Sequence, residues 1–479
     1  MKILINYIYS FSNQIIGILV PFITIPYVSR ILGAESLGIV SYTSSISTYF
    51  TLLASLGISI YGNRTIAYYK NDPKMLNKKF GEIVIIKLFS SILSLILFFI
   101  FINNFKSNYY EYFIIQAISI ISVSLDISWF FIGLEEFKKS VLRNIFVKLS
   151  SCILIFLLVK NEQDLSLYIF ILAISTFLGN ISLWPYLSKY VKFPKLSEIN
   201  LLEHISSLIA IFLSQLMSST YMALNRIILE DQSTLSQIGF FDNADKFIRI
   251  VMTFIFAIGA VIFPRVAYSY HINDLDNVRK YLKLTFDLVN LVSFPAALGL
   301  LLISKPFSIL FFGDKFDGID LVINILSFQL ILMGISSVIG NQLLIAINKP
   351  MGITISLSIA IIISGLCSLY LIPQYGAIGA SYSVLLGELS ITIIQIIYTN
   401  RFFKLGFVFS EFHKYFFSSL IMYSSCYFIQ RSAIISFNNK LYEIIAYILL
   451  GSIFYLLAIK LFNASILKIT NNIVRHRKI

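Results

Sequence analysis

Apolar residues run along this chain in blocks of about twenty, separated by short polar connections. A block of that length crosses a hydrocarbon core of about 30 Å as an α-helix rising 1.5 Å per residue. The spans predicted in this way are 4–28, 37–60, 81–103, 111–133, 141–159, 165–187 and 204–228, followed by 235–263, 281–303, 319–347, 352–372, 376–400, 412–430 and 442–462. The pattern therefore predicts an all-α polytopic membrane protein of about 14 transmembrane helices, with almost nothing left for a soluble domain. Nothing resembling a small-residue cleavage site follows the first span, which is read as a retained helix. A chain without a loop large enough for an aqueous active site is expected to move something across the membrane.

Composition sharpens this picture. Hydrophobic residues make up 57% of the 479 positions and charged residues only 13%, too few to give so many apolar helices water-facing sides. The net charge of +13 would suggest nucleic acid if it were evenly spread, but it is not. With the amino terminus placed in the cytoplasm, twenty-five Lys and Arg fall on the inner side, including Arg64, Lys78, Lys138, Arg143, Lys280 and Lys404. Eight fall on the outer side: Arg30, Lys106, Lys160, Arg226, Lys305, Lys315, Arg431 and Lys440. That asymmetry is the positive-inside signature, and it places both termini in the cytoplasm with no nucleic-acid partner expected. Cys152, Cys367 and Cys426 all lie inside apolar spans and form no zinc or redox spacing, so no metal or other cofactor is expected.

The chain also repeats itself about two hundred residues on. Arg64-Thr-Ile-Ala67-Tyr68-Tyr69 with Asn71-Asp72 is matched by Arg265-Val-Ala267-Tyr268-Ser-Tyr270 with Asn273-Asp274. Arg30-Ile-Leu-Gly33 with Leu37-Gly38 is matched by Arg226-Ile-Ile-Leu229 with Ile238-Gly239. Six spans separate the copies, so the repeat is parallel. It predicts an N-terminal six-helix lobe (1–201) and a C-terminal six-helix lobe (202–404) around a central cavity, with two additional helices and a basic cytoplasmic tail (405–479).

Three motifs carry a family resemblance: Pro26-Tyr27-Val28-Ser29-Arg30-Ile31-Leu32-Gly33, Gly133-Leu134-Glu135 with Phe137 and Lys138, and Leu371 to Ala380 (LIPQYGAIGA). On these, and over essentially the whole chain, the sequence resembles the polysaccharide transporters, or lipid-linked oligosaccharide flippases. They form part of the multidrug/oligosaccharidyl-lipid/polysaccharide exporter superfamily. The resemblance implies a polyprenyl-pyrophosphate-linked oligosaccharide as substrate and partner, with membrane lipids and other polysaccharide-assembly membrane proteins around it. The motifs themselves are helix ends and turns. Pro373 is expected to end the eleventh span, Gly376 and Gly379 to let the twelfth start tightly, and Pro21 and Pro26 to kink the first.

Ionisable groups at bilayer depth cost about 2.5–3.5 kcal/mol on insertion scales, so each implies a partner or a wet cavity. The eighth span is the densest, with Asp242, Asp245, Lys246 and Arg249. Lys246 lies roughly 16 Å from the outer end, near the midplane. Asp242–Lys246 and Asp245–Arg249 are i, i+4 pairs with the acid first. They could neutralise each other on a buried face, or Lys246 and Arg249 could line the cavity and bind a phosphate-bearing head group; the second is preferred. In related flippases cationic cavity residues are thought to serve this role. Lys87 is a candidate for the inner mouth. Arg30 and Arg226, at corresponding outer ends, are candidates for holding the departing pyrophosphate. Glu388, Asp126 and Asp287 are candidates for carrying a coupling ion, Glu388 first because no basic residue lies within a helical turn of it. Tyr42 and Tyr221 are weaker candidates for stacking on sugars.

The expected function is alternating-access flipping of the lipid-linked repeat unit, without catalysis. Rivals are a multidrug/cation antiporter or a peptidoglycan-precursor flippase of the same superfamily. From another class, a membrane-embedded glycan polymerase or ligase would need an outer loop longer than 304–318. A non-transporting scaffold would give the midplane charges no reason to exist.

Overall fold

The computed structural model describes residues 2–104, 108–192, 199–432 and 439–465. Lys106, Lys195 and the basic tail residues from Lys468 onward lie outside them. The first helices are α1 (Lys2–Ser55), α2 (Ile58–Tyr69), α3 (Pro73–Asn104), α4 (Tyr110–Ser124), α5 (Ser128–Gly133) and α6 (Phe137–Leu158). Next come α7 (Leu165–Ile181), α8 (Trp184–Leu187), α9 (Leu202–Gln232), α10 (Leu235–His271), α11 (Leu275–Phe311), α12 (Ile319–Ser327) and α13 (Gln329–Ser337). After a π-helical stretch, Val338–Leu344, follow α14 (Met351–Tyr375), α15 (Ala377–Asn400), α16 (Phe412–Arg431) and α17 (Lys440–Leu461).

Among the described residues, twelve helical segments are long and apolar enough to cross a membrane. The first, Phe11–Tyr69, holds two spans, because α1 leaves helical angles at Gly33 (φ 78°, ψ 177°). The 20-residue α16, richer in polar side chains, fills the position of the thirteenth span. This is an all-α, multi-pass membrane protein.

The chain divides into two compact units, Met1–Glu230 and Asp231–Ile479. In the first, α1 packs on α3, α4 and α6, and α4 on α7. The boundary between the units falls near the end of α9, after Glu230. A methyl group on Gly57 (φ 73°) would lie 2.8 Å from the Ile211 side chain, so only glycine lets the α1–α2 turn seat on α9. In the second unit α11 runs against α10, α12, α13, α16 and α17. Tyr415, Met422, Tyr455 and Ile459 close over Phe294 and Leu298, and the Tyr455 hydroxyl donates to the Leu291 carbonyl at 3.0 Å. The two C-terminal helices are thus fixed to α11.

Several boundaries differ from the sequence expectation, each for a local reason. The backbone break near the first span falls at Gly33, while Pro21 and Pro26 keep helical angles inside α1. Pro373 lies inside α14, which continues to Tyr375 and stops at Gly376 (φ 56°). The fourth span breaks at Asp126, whose carboxylate accepts the Ser128 amide at 2.9 Å. The tenth is α12, α13 and the π-helical stretch in succession.

The repeat acquires a physical meaning in the caps. Asp72 Oδ1 accepts the amides of Lys74 (3.0 Å) and Met75 (3.2 Å) at the start of α3. Asp274 Oδ1 accepts the amide of Asn277 (3.1 Å) at the start of α11. Both repeat copies therefore end on an aspartate that satisfies the open N–H groups of the next helix. The Asn277 backbone and side-chain donors hold the Asp274 carboxyl below the usual carboxylate range.

Candidate transport site

In the second unit the charged stretch sits on α10. The Asp242 and Asp245 side chains are 4% and 3% exposed, while those of Lys246 and Arg249 are 48% and 31% exposed. Lys246 Nζ lies 2.5 Å from Asp242 Oδ2, and Arg249 Nε donates to Asp245 Oδ2 at 2.9 Å. Each acid is turned into the protein and each cation outward. Both pairs span one helical turn, which brings such side chains together on one face. Glu388 is buried on α15, where its backbone carbonyl accepts from Thr392 Oγ1 at 2.9 Å.

The other two acids each sit in a polar cluster. Buried Asp287 on α11 accepts from Ser465 Oγ at 3.2 Å, and the Ser465 amide donates to Glu411 Oε2 at 2.8 Å. Glu411 also pairs with Lys414 at 3.3 Å, so this cluster ties α11 to the ends of α16 and α17. In the first unit Asp126 occupies the break between α4 and α5. Its carboxylate takes the Ser128 amide and hydroxyl and pairs with Arg143 at 3.4 Å. Its carbonyl takes Trp129 Nε1 at 3.1 Å and the ammonium of Lys87. Arg143 also donates to Asn180 Oδ1, and the Asn180 amide reaches the Ser122 carbonyl at 2.8 Å. The sequence reading left Lys87 and Asp126 as separate candidates; here they share one polar knot, with Lys87 only 2% exposed.

Arg226 Nη1 donates to the Met222 carbonyl one turn earlier on α9, and Arg30 is exposed on α1. Tyr42 packs edge-on against Tyr109, centroids 5.6 Å apart, and Tyr221 is buried. A further constellation was not singled out in the sequence. His204 Nε2 lies 2.9 Å from Glu82 Oε2 and Nδ1 lies 2.6 Å from the Tyr61 hydroxyl, all three side chains buried. Lys79 Nζ bridges Glu82 (3.1 Å) and Glu203 (2.7 Å), and the Asn200 amide donates to Glu82 Oε1 at 2.8 Å. Glu82, Glu203 and His204 have ligand atoms close enough together for a metal ion. The Lys79 ammonium already supplies the positive charge between the two carboxylates. Its only sequence signal is polar residues at the inner ends of two spans, and nothing local links positions 61, 82 and 204.

An apolar cavity of about 510 Å³ lies beside the C-terminal helices, walled by Leu291, Pro295 and Gly299 of α11, Met422 of α16, and Gly451 and Tyr455 of α17.

Residues 3–269 match the family model described as "Polysaccharide biosynthesis protein". The chain is 25% identical over 383 residues to the "Putative O-antigen transporter" of Shigella dysenteriae, covering 79% of this chain and 95% of that protein. It is 24% identical over 408 residues to the protein of the same description in Escherichia coli (strain K12), covering 83% and 96%. Its fold is similar to that of the lipid II flippase MurJ in an inward closed conformation, with a TM-score of 0.74 at 15% identity, over 96% of this chain and 98% of that one. With more than half of its length matched by the family model, this chain belongs to the polysaccharide biosynthesis protein family.

Proposed function

We propose that the protein is a flippase for polyprenyl-pyrophosphate-linked oligosaccharide repeat units. On this reading it carries them from the cytoplasmic to the outer leaflet of a bacterial cell membrane, by alternating access between two six-helix lobes. The product feeds a surface polysaccharide such as O-antigen, capsule or exopolysaccharide. The observation that carries the reading is the arrangement on α10: acids buried, Lys246 and Arg249 outward, at a depth the sequence pattern assigns near the midplane. An outward charge facing hydrocarbon there would cost several kcal/mol, so the heads are expected to face a wetted space. A guanidinium and an ammonium one turn apart suit a pyrophosphate, the first by its planar fork and the second as a point charge. The O-antigen transporter relatives support the substrate class. The groove on α11, α16 and α17 offers apolar surface for a polyprenyl chain. A multidrug/cation antiporter would need the opposite sign of charge at this place, and a peptidoglycan-precursor flippase would differ in the head group it accepts. No bond is made or broken in this process.

In the same reading Arg30 and Arg226 hold the pyrophosphate at the outer end. Lys87 reaches the inner mouth when its contact with Asp126 opens. Glu388 carries the coupling ion, as a buried acid within a span with no basic residue a helical turn away along the chain, and Asp126 and Asp287 are second choices. Lys246→Ala or Arg249→Ala should abolish glycan export at normal protein level. Asp245→Ala combined with Arg249→Ala removes a pair without leaving a buried charge, and should keep normal protein level and still lack export. Export that survives in the single variants, or that falls only in step with protein level, would make the pairs structural.

A further inference from the structure

A second cavity, of about 670 Å³, lies in the first unit between α6 and α7 and is unrelated to the charged stretch of α10. Its composition changes along its length. At one end stand Lys138, Lys139 and Arg143 from the start of α6, with Ser182 and Tyr186 from the end of α7 and α8. The rest of the wall is mainly apolar, formed by Leu142, Phe146, Val147, Leu154, Ile174 and Leu178, with Ser150 and Ser175 the polar residues among them. Phe146 and Leu178 are 72% and 57% exposed, so the groove opens sideways, towards the place a bilayer occupies around a multi-pass protein.

The basic end is built. Lys139 Nζ sits 4.2 Å from the Tyr190 ring centroid, 5.3 Å from that of Phe131 and 5.8 Å from that of Tyr186. It also donates to the Tyr190 hydroxyl and lies 3.9 Å from Glu136. The rings hold the ammonium in place without neutralising it. Arg143 is fixed by Asp126 and Asn180, and its Nε has no hydrogen-bond partner among the described residues. Lys138 is exposed, and no carboxylate lies within ion-pair distance of it among the described residues. Two carboxylates, Asp126 and Glu136, face three cations, so positive charge is left over at the rim.

Length selects the occupant. From Arg143 to Leu154 the helix advances roughly 16 Å at 1.5 Å per residue, about half of a hydrocarbon core of about 30 Å. A basic rim one leaflet-depth from the end of an apolar trough fits a lipid confined to one leaflet. We propose that this groove is a binding site for an anionic diacyl phospholipid, its phosphate at Lys138, Lys139 and Arg143 and its chains along Phe146, Leu154 and Leu178. Basic pockets between transmembrane helices are suited to such head groups. On the orientation given by the positive-inside rule the lipid belongs to the cytoplasmic leaflet. The site itself does not depend on the transport reading.

The test is native mass spectrometry of the full-length protein in mild detergent, with equal amounts of phosphatidylglycerol and phosphatidylethanolamine added. Wild type should retain phosphatidylglycerol over phosphatidylethanolamine by about tenfold. Lys138→Gln, and Lys138→Gln with Lys139→Gln, should bring that ratio close to one at an unchanged melting temperature. Ser150→Phe, placed in the trough, should reduce retention of both lipids. Lys280→Gln, a basic change in the other unit, should have no effect. The proposal is overturned if the ratio survives in Lys138→Gln, or if Lys280→Gln lowers it equally. It is also overturned if added polyprenyl phosphate displaces phosphatidylglycerol from wild type at equal concentration, which would make the groove a carrier site.

Discussion

At the scale of single residues, charge and burial together decide what each ionisable group can do. Asp126 sits in a break with Arg143, Ser128 and Lys87 around it, and Asp287 closes on Ser465. Glu388, 4% exposed within a span and with no basic residue a helical turn away along the chain, is the first residue to test for coupling. Glu388→Gln keeps shape and hydrogen bonding but removes the titratable charge. Transport into inverted vesicles should lose its stimulation by an imposed proton or sodium gradient, while substrate binding stays largely intact. Stimulation that is unchanged in the variant would remove Glu388 from the mechanism. The buried Tyr61–His204–Glu82 chain shows the opposite case, polar residues with no local signal that become one network only when α2, α3 and α9 meet.

At the scale of elements, small residues let helices pair where a bilayer supplies no hydrophobic drive between them. Along α14, Gly352, Ser356, Ala360, Ser364 and Ser368 recur every fourth residue and are all buried. That stripe packs against α15, and Gln395 of α15 donates to Ser356 Oγ at 3.3 Å. The turn between the two helices is tighter still. A methyl group on Gly379 would lie 2.2 Å from the Leu371 carbonyl oxygen, which is backbone and cannot swing aside. The Gln237 side chain closes the same turn, accepting the Ala377 amide at 2.8 Å. Gly379→Ala should therefore destabilise by about 1–3 kcal/mol, the usual cost of overpacking. Gly299→Ala, where nothing lies within 4 Å of the added methyl, is the matched control. Equal melting temperatures for the two variants in detergent would show that the turn relaxes freely.

At the scale of the whole molecule, orientation follows from charge rather than from packing. Twenty-five basic residues against eight predict that the Lys78 and Lys280 segments face the cytoplasm. Cysteines introduced at Lys78 and Lys280 should react with an impermeant thiol reagent in inverted vesicles and stay unlabelled in intact cells. Labelling of either position from outside would reverse the assignment and with it the direction of transport. Both positions lie on α3 and α11, just beyond the capping aspartates of the two repeat copies. The experiment therefore probes equivalent places in the two halves of the chain.

The multi-pass helical class, the capping aspartates and the i, i+4 charge pairs of α10 were legible in the sequence because each depends on residues close together in the chain. Hydrophobic length sets a span, an aspartate satisfies the helix that begins beside it, and one helical turn pairs Asp245 with Arg249. The position of the break at Gly33 and the run of α14 past Pro373 were not legible, since a proline can be held in a helix by its surroundings. Only tertiary structure decided that Lys87 reaches the Asp126 carbonyl, that His204 joins Glu82, and that basic and apolar residues of α6 and α7 form one groove. Lys87 and Asp126 lie 39 residues apart and Glu82 and His204 lie 122 apart, and only the packing of whole helices brings such groups within hydrogen-bond reach.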